Sequence, residues 1–180
     1  MQLPHCVTAS QKVENMVNFL RVAPPGNVVE IGVYLGGVIG TLASVAPERS
    51  CYGYDTFEGM PTPSALDNFH KEGDFAVDFT SVQKSLAGLK NVVLIKGMYP
   101  ASDTIKPNPI ALAHVDVDIY KCTYAAFCYL SPFMAAGGRI YCDDAFTPFC
   151  HGATLAVCEF CYIFSKVPKL DNGNHLYIEY

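Results

Sequence analysis

Four carboxylates close two of the most apolar runs in the chain. Asp116 and Asp118 end IALAHVDVD (110–118), and Asp143 and Asp144 end RIYCDD (139–144). A bare carboxylate in a half-buried place is unfavourable unless something pairs with it. A divalent cation would supply the missing charge, because carboxylate oxygens are hard ligands that suit Mg²⁺, Mn²⁺ or Ca²⁺ over softer metals. Two more acids stand at strand-like ends. Glu30 lies two residues before the first glycine of VVEIGVYLGG (28–37), and Asp55 closes YGYD (52–55). In α/β nucleoside-binding folds an acid in the second position takes ribose hydroxyls. Gly32, Gly36 and Gly37 let backbone approach a ligand closely. The run reads GxxxGG, not GxGxxG, and the chain has no GxxxxGK[ST], so a phosphate cradle is poorly supported. A ligand with a ribose and no phosphate fits this set. Each feature has a plain structural explanation: a tight turn for the glycines, a cap for Asp55, a cap of the helix starting near Ile119 for Asp118. Their order and spacing together favour a ligand.

The elements that must position these residues follow from periodicity. SQKVENMVNFLR (10–21) has helical apolar spacing. NVVEIGVY, SCYGYD, NVVLIKG, IALAHVDVD and RIYCDD read as buried strands. GGVIGTLASVAP, DFTSVQKSLAGL, IYKCTYAAFCYLSPFMAAGG (119–138) and HGATLAVCEFCYIFSK (151–166) read as the helices between them. The closing KVPKLDNGNHLYIEY holds a turn signal between two short strand-like runs. This alternation predicts an α/β fold with a doubly wound, mostly parallel sheet, edged by a C-terminal antiparallel hairpin. Ligands in such sheets bind outside the carboxyl ends of the strands, so all six acids fall on one rim. The polar loop from Thr56 to about Gly73 is expected to act as a lid.

Composition narrows the classes. The 180 residues suit one domain over 1–180, and 51% hydrophobic against 16% charged residues argues against disorder. A net charge of −5 argues against a nucleic-acid surface. No apolar run approaches the roughly 20 residues of a membrane helix, and no signal peptide is visible, so a cytoplasmic location is expected. The eight cysteines lie mostly in apolar segments and read as packed thiols. Cys158 and Cys161 form one CxxC, but a zinc site normally brings a second close pair.

VVEIGVYLGG followed by YGYDTFEGMP resembles the first two cofactor motifs of class I S-adenosylmethionine-dependent methyltransferases. More narrowly, DTFEGMP (55–61), HKEGDF (70–75) and HVDVDIYKCTYAAFCYLSPFMAAGGRIYCDDAF (114–146) resemble the macrocin O-methyltransferase (TylF-like) family, over about residues 26–165. That family methylates sugar hydroxyls of macrolides and related products. The resemblance implies a class I methyltransferase, Rossmann-like sheet. It implies that Glu30, Gly32, Tyr34, Gly36 and Gly37 hold the methionine part of S-adenosylmethionine. Asp55 would hold the ribose, with Thr56 and Phe57 beside it, and Gly97 and Tyr99 would lie near the adenine. Asp116, Asp143 and Asp144 would hold Mg²⁺ or another hard divalent cation, the 27-residue step from Asp116 to Asp143 matching the family's.

The expected activity is O-methylation of a hydroxyl on a sugar, glycan or glycosylated metabolite. Asp116 is the expected catalytic residue, with Asp118, His114, Lys121 and His151 as further candidates for the base. Catechol-type relatives carry a lysine where this chain has Ile119, so that role is not transferred to Lys121. Tyr34 stands where many class I enzymes have glycine. Little sequence precedes the first strand, so a large exposed acceptor or a partner subunit, as in a homodimer, would complete the pocket. The alternative is a catalytically inactive methyltransferase-like protein that binds a nucleoside or a metal. A NAD-binding oxidoreductase is disfavoured by the missing GxGxxG.

Overall fold

Runs of β-branched and aromatic residues alternate with amphipathic stretches, and in the computed structural model, which describes residues 3–103 and 108–180, they become strands and helices in the expected order. The strands are β1 (Asn27–Ile31), β2 (Cys51–Asp55), β3 (Val92–Lys96), β4 (Ile110–Val115), β5 (Met134–Cys142), β6 (Lys169–Asp171) and β7 (His175–Glu179). The helices are α1 (Ser10–Leu20), α2 (Gly37–Val45), α3 (Phe79–Leu86), α4 (Tyr120–Leu130) and α5 (His151–Ile163). They build one sheet in the order β3-β2-β1-β4-β5-β7-β6. β1 to β5 run parallel, and β7 joins β5 antiparallel with β6 beside it, which is the expected terminal hairpin.

Side chains alternate across the sheet with period two, so each strand feeds two cores. Val29, Ile31, Ala113, Ile140 and Ile178 pack under α4 and α5. Val28, Leu112, Tyr141 and Tyr177 pack under α1 and α2. Arg139 spans the edge of this second core, its guanidinium over the rings of Phe19 (4.4 Å) and Tyr177 (4.1 Å). Among the described residues no helix is long and apolar enough to cross a membrane.

One boundary differs from the sequence reading. The helix expected to run to Gly138 stops at Leu130, turns once through Ser131–Phe133, and enters β5 at Met134. Pro132 explains the stop, since it has no N–H to continue the helix ladder. The glycines at 137 and 138 therefore lie within β5 rather than capping a helix.

The strand order reverses between β1 and β4, which leave in opposite directions across the sheet. Their carboxyl ends open into a crevice at that point. Every acid singled out from the sequence lies on or next to it.

Candidate functional site

The site begins with one rung of the sheet. Glu30, His114 and Tyr141 are register partners across β1, β4 and β5. By the same alternation Glu30 and His114 share the face of Val28 and Leu112, and Asp116 follows two residues beyond His114. Glu30 and His114 are buried. His114 Nδ1 lies 3.0 Å from Glu30 Oε1, and Glu30 Oε2 accepts the N–H of Ile39 in the first turn of α2 (3.0 Å). The carboxylate thus meets a helix N-terminus, where negative charge is favoured. Gly32 lets β1 end here. Its φ is +90°, and a Cβ would stand 1.8 Å from the Asp116 carbonyl oxygen, so no other residue fits.

The four aspartates each find a different partner. Asp143 faces the Lys12 ammonium of α1 (3.4 Å to Oδ2), and Lys12 also donates to the Asp143 carbonyl. His114 Nε2 is 3.6 Å from Asp143 Oδ1, too long for a hydrogen bond. Asp144 is buried, and its Oδ2 accepts the N–H groups of Val117 (3.1 Å) and Asp118 (2.8 Å). Among the described residues the Asp116 carboxylate receives only a long bond from Thr8 Oγ1 (3.4 Å). Asp118 lies 3.6 Å from the Cys150 thiol.

Oxygens of Asp116, Asp143 and Asp144 lie within 4.8 Å of one another. Burial, then the charges of Asp143 and Asp144, push Asp116 well above the usual carboxylate range. Burial, then Asp118 and Asp143, push Asp144 up to about 7. Burial would also raise Asp143, but the facing His114 ring and the Lys12 charge pull it down to about 2. Burial works against charge on His114, yet Asp143 and Glu30 outweigh it and raise its pKa well above the ordinary value. Among the described residues the ion-pair contacts of Lys12 and His114 within the trio reach Asp143, and none reaches Asp116 or Asp144. Asp143 Oδ1 is buried without a hydrogen-bond partner among the described residues, and the donors are all hard oxygens, so the trio fits a divalent cation such as Mg²⁺. His175, its ring tilted against that of Tyr141 at 4.6 Å, stands beside His114 and Asp143; burial lowers its pKa to about 3 and keeps it neutral.

Two clefts meet at these acids. The first is lined by Gly32, Asp55, Thr56, Gly97, Met98, Tyr99, Asp116 and Asp118. The second is lined by Glu30, Gly32, Tyr34, Gly37, Asp55, Asp116, Asp143 and Asp144, and by His5 to Thr8 of the segment before α1. Asp55 organises the wall between them. Its Oδ2 accepts the N–H groups of Val33 and Tyr34 (2.8 Å each), and its Oδ1 accepts that of Phe57 (2.7 Å). A carboxylate has about four acceptor positions, so capacity remains for a ligand hydroxyl.

Thr56 Oγ1 donates to the Gly59 carbonyl (2.8 Å). The Phe57 ring turns into the core against Phe79 (4.8 Å) and lines neither cleft. Gly36, at φ +86°, caps α2 behind the second cleft. Tyr34 meets the Phe75 ring edge-on at 5.7 Å, and Tyr99 packs on Tyr54 at 5.0 Å with one edge toward the first cleft.

Of the candidate bases, Asp116 and Asp118 line both clefts. Lys121 and His151 are exposed and line neither. Asp118 does not cap α4. The cap comes from Asp67, buried inside the loop, whose Oδ1 accepts the Tyr120 N–H (2.9 Å) while its Oδ2 accepts the Ser64 hydroxyl (2.6 Å). Sequence reasoning missed Asp67 and Lys12, because neither belongs to a strand end. Asp67 does stand three residues after Ser64, the spacing of a local side-chain turn.

The 56–78 stretch folds over the first cleft, with the Met60 N–H on the Asp74 carbonyl and the Gly73 N–H on the Met60 carbonyl. Cys158 and Cys161 are split by burial, the first exposed and the second inside, and no metal-ligating group forms around them among the described residues.

Comparison with known proteins gives the family and the fold. The family model described as Macrocin-O-methyltransferase (TylF) matches residues 5–173. The chain is 26% identical over 173 residues to Mycinamicin III 3''-O-methyltransferase of Micromonospora griseorubida, covering 84% of this chain and 64% of that protein's length. Its fold is similar to that of the O-methyltransferase NovP (TM-score 0.82, 21% identity, 94% of this chain and 79% of that one). It is equally similar to the calicheamicin methyltransferase CalS11 (TM-score 0.82, 23% identity, 93% and 78%).

Proposed function

The chain belongs to the macrocin O-methyltransferase (TylF) family, and from that premise we propose that it methylates a hydroxyl of a sugar or glycosylated metabolite, acting as one methyltransferase domain. S-adenosylmethionine is the methyl donor in this reading, and a hard divalent cation assists. The observation that carries it is the convergence of Asp116, Asp143 and Asp144 within 4.8 Å at the wall of the second cleft, which Asp55 also lines. The relative's name, which specifies a 3''-O position on mycinamicin III, supports a sugar-type acceptor.

In this reading Asp55 holds the ribose hydroxyls, and the turn from Gly32 to Gly37 receives the methionine part. Gly97 and Tyr99 flank the base. S-adenosylmethionine supplies an already activated methyl group, so most of the protein's contribution is positioning. A divalent cation held by Asp116, Asp143 and Asp144 would make the acceptor hydroxyl more acidic and fix its direction. In this reading Asp116, which lines both clefts, receives the proton that the hydroxyl loses. Lys12 and His114 hold Asp143 in position from the protein side. The cover from residue 56 to 78 limits water around the sulfonium.

Calorimetric titration of S-adenosylhomocysteine, with and without Mg²⁺, followed by a labelled-methyl transfer screen over glycosylated acceptors, tests the proposal. Binding together with Mg²⁺-dependent label on a sugar supports it. Binding without transfer to any hydroxyl acceptor would favour the inactive, binding-only alternative. No binding under either condition would remove the methyltransferase reading altogether.

A further inference from the structure

Three side chains outside the acid trio converge from three separate segments. His70 comes from the cover, Asp118 from the turn after β4, and Cys150 from the N-terminal end of α5. Their ligand atoms all lie within 4.8 Å of one another. Cys150 Sγ is 3.6 Å from His70 Nε2 and 3.6 Å from Asp118 Oδ1. Tetrahedral Zn²⁺ takes sulfur at about 2.3 Å and nitrogen or oxygen at about 2.0–2.1 Å, which sets such ligands roughly 3.5 Å apart. The two distances to sulfur match that spacing, and the third pair, His70 and Asp118, lies within 4.8 Å.

We propose that His70, Asp118 and Cys150 form a second metal site, one that takes Zn²⁺ or a cation of similar softness. The donor set differs in kind from the acid trio. One thiolate, one imidazole and one carboxylate select a borderline metal over Mg²⁺ or Ca²⁺. Three protein ligands leave the fourth position for water or another ligand. Cys150 is only 4% exposed, so the sulfur sits at the inner side, while His70 and Asp118 are half-buried and form the outer side.

The supports are already in place. Asp118 is fixed by its N–H on Asp144 Oδ2 (2.8 Å). The His70 N–H bonds the Asp67 carbonyl (3.0 Å), and Phe69 next to it packs on Phe149 (5.3 Å) and His151 (6.0 Å). Burial and the charges of Asp144 and Asp118 keep Cys150 a thiol in the metal-free protein. On binding, the Sγ–H proton leaves to solvent as the metal–sulfur bond forms, with no change in oxidation state. The metal would tie the cover to α5, next to the cleft that the cover lines through Met60 and Phe75. This site was not visible from the sequence, where the one CxxC, Cys158 and Cys161, reads as packed thiols.

Co²⁺ titrated into the metal-stripped full chain is the test. A near-ultraviolet thiolate-to-cobalt charge-transfer band, saturating at one ion per chain and removed by Zn²⁺ but not by Mg²⁺, is expected. Cys150→Ser should abolish the band, and His70→Ala should weaken Co²⁺ binding by at least about tenfold. Cys158→Ser, at an exposed thiol, should leave both unchanged. No band in the wild type, or a band that survives Cys150→Ser, overturns the proposal and leaves three groups joined by weak hydrogen bonds. If Cys150→Ser does not fold, His70→Ala decides: an unchanged spectrum and affinity overturn it equally. The band needs neither a methyl donor nor Asp116, so its absence and a failure of the proposed methyl transfer are separate results.

Discussion

Glu30 and His114 meet 3.0 Å apart across the seam between β1 and β4, with neither side chain exposed by more than 2%. The contact joins the strand that carries the glycine turn to the strand that carries Asp116. Removing one member leaves the other buried and uncompensated. Glu30→Ala is therefore expected to destabilise the fold by about 3–5 kcal/mol. A lower urea midpoint at unchanged m-value would register it. Adding His114→Leu should recover part of the loss, because the orphaned ring is gone. A change below about 1 kcal/mol for the single variant would mean the pair carries little.

The acid trio makes metal-free stability depend on pH. Asp116 and Asp144 have folded-state pKa values raised above the unfolded ones, Asp144 to about 7. Groups of this sign favour the fold at low pH and lose that contribution as pH rises through the folded pKa. His175 acts in the opposite sense: with its pKa lowered to about 3, it disfavours the fold as pH falls below the unfolded histidine value. That contribution is common to metal-free and metal-loaded protein. The gain in thermal midpoint from Mg²⁺ over EDTA should thus grow from pH 5.5 to pH 8, reaching about 5 °C at saturating metal. A gain that is zero at every pH would count against a cation at the trio.

Gly37 lies beneath the segment before α1. A Cβ there would come 2.4 Å from Cys6 Cα and 2.6 Å from the His5 carbonyl, both backbone atoms that cannot swing aside. Gly37→Ala is expected to lift residues 5 and 6 while leaving α2 helical. Cys6, half-buried in the wild type, should then react with a maleimide at least about tenfold faster, in line with a local opening weakened by about 1.4 kcal/mol. Equal labelling rates would show that the segment does not rest on the glycine.

Asp55 uses both oxygens to accept backbone N–H groups, two from the glycine turn and one from Phe57. Asparagine offers one acceptor oxygen and turns an NH₂ toward a donor on the other side. Asp55→Asn should weaken S-adenosylhomocysteine binding by about 10–100-fold, or roughly 1.4–2.8 kcal/mol. Calorimetry on a variant that retains the wild-type circular dichroism separates this from unfolding. Undiminished affinity would remove Asp55 from the ligand site.

The sequence carried the strands and the rim acids because both depend on local pattern. Val28 to Ile31 and Ile110 to Val115 are short, buried and flanked by turn residues, and parallel pairing then brings their ends together. The stop of α4 was legible in Pro132 but was overridden by the glycines beyond it. What could not be read were contacts between segments distant in the chain. Lys12 reaches Asp143 over 131 positions, Asp67 caps Tyr120 over 53, and His70 meets Cys150 over 80. No spacing rule encodes such pairs, because they depend on how the 56–78 cover and α1 settle on the finished sheet.

The shared rung of Glu30, His114 and Tyr141 also bears on how such a chain can diverge. Inserting or deleting one residue in β4 would turn His114 to the α4 side and carry Asp116 with it, since strand faces alternate strictly. The ionic frame is therefore inherited as a block, resistant to drift in length. Innovation in what the protein accepts is channelled into the stretch from 56 to 78 and the segment ahead of α1, where residues can be added or exchanged without re-phasing a single strand.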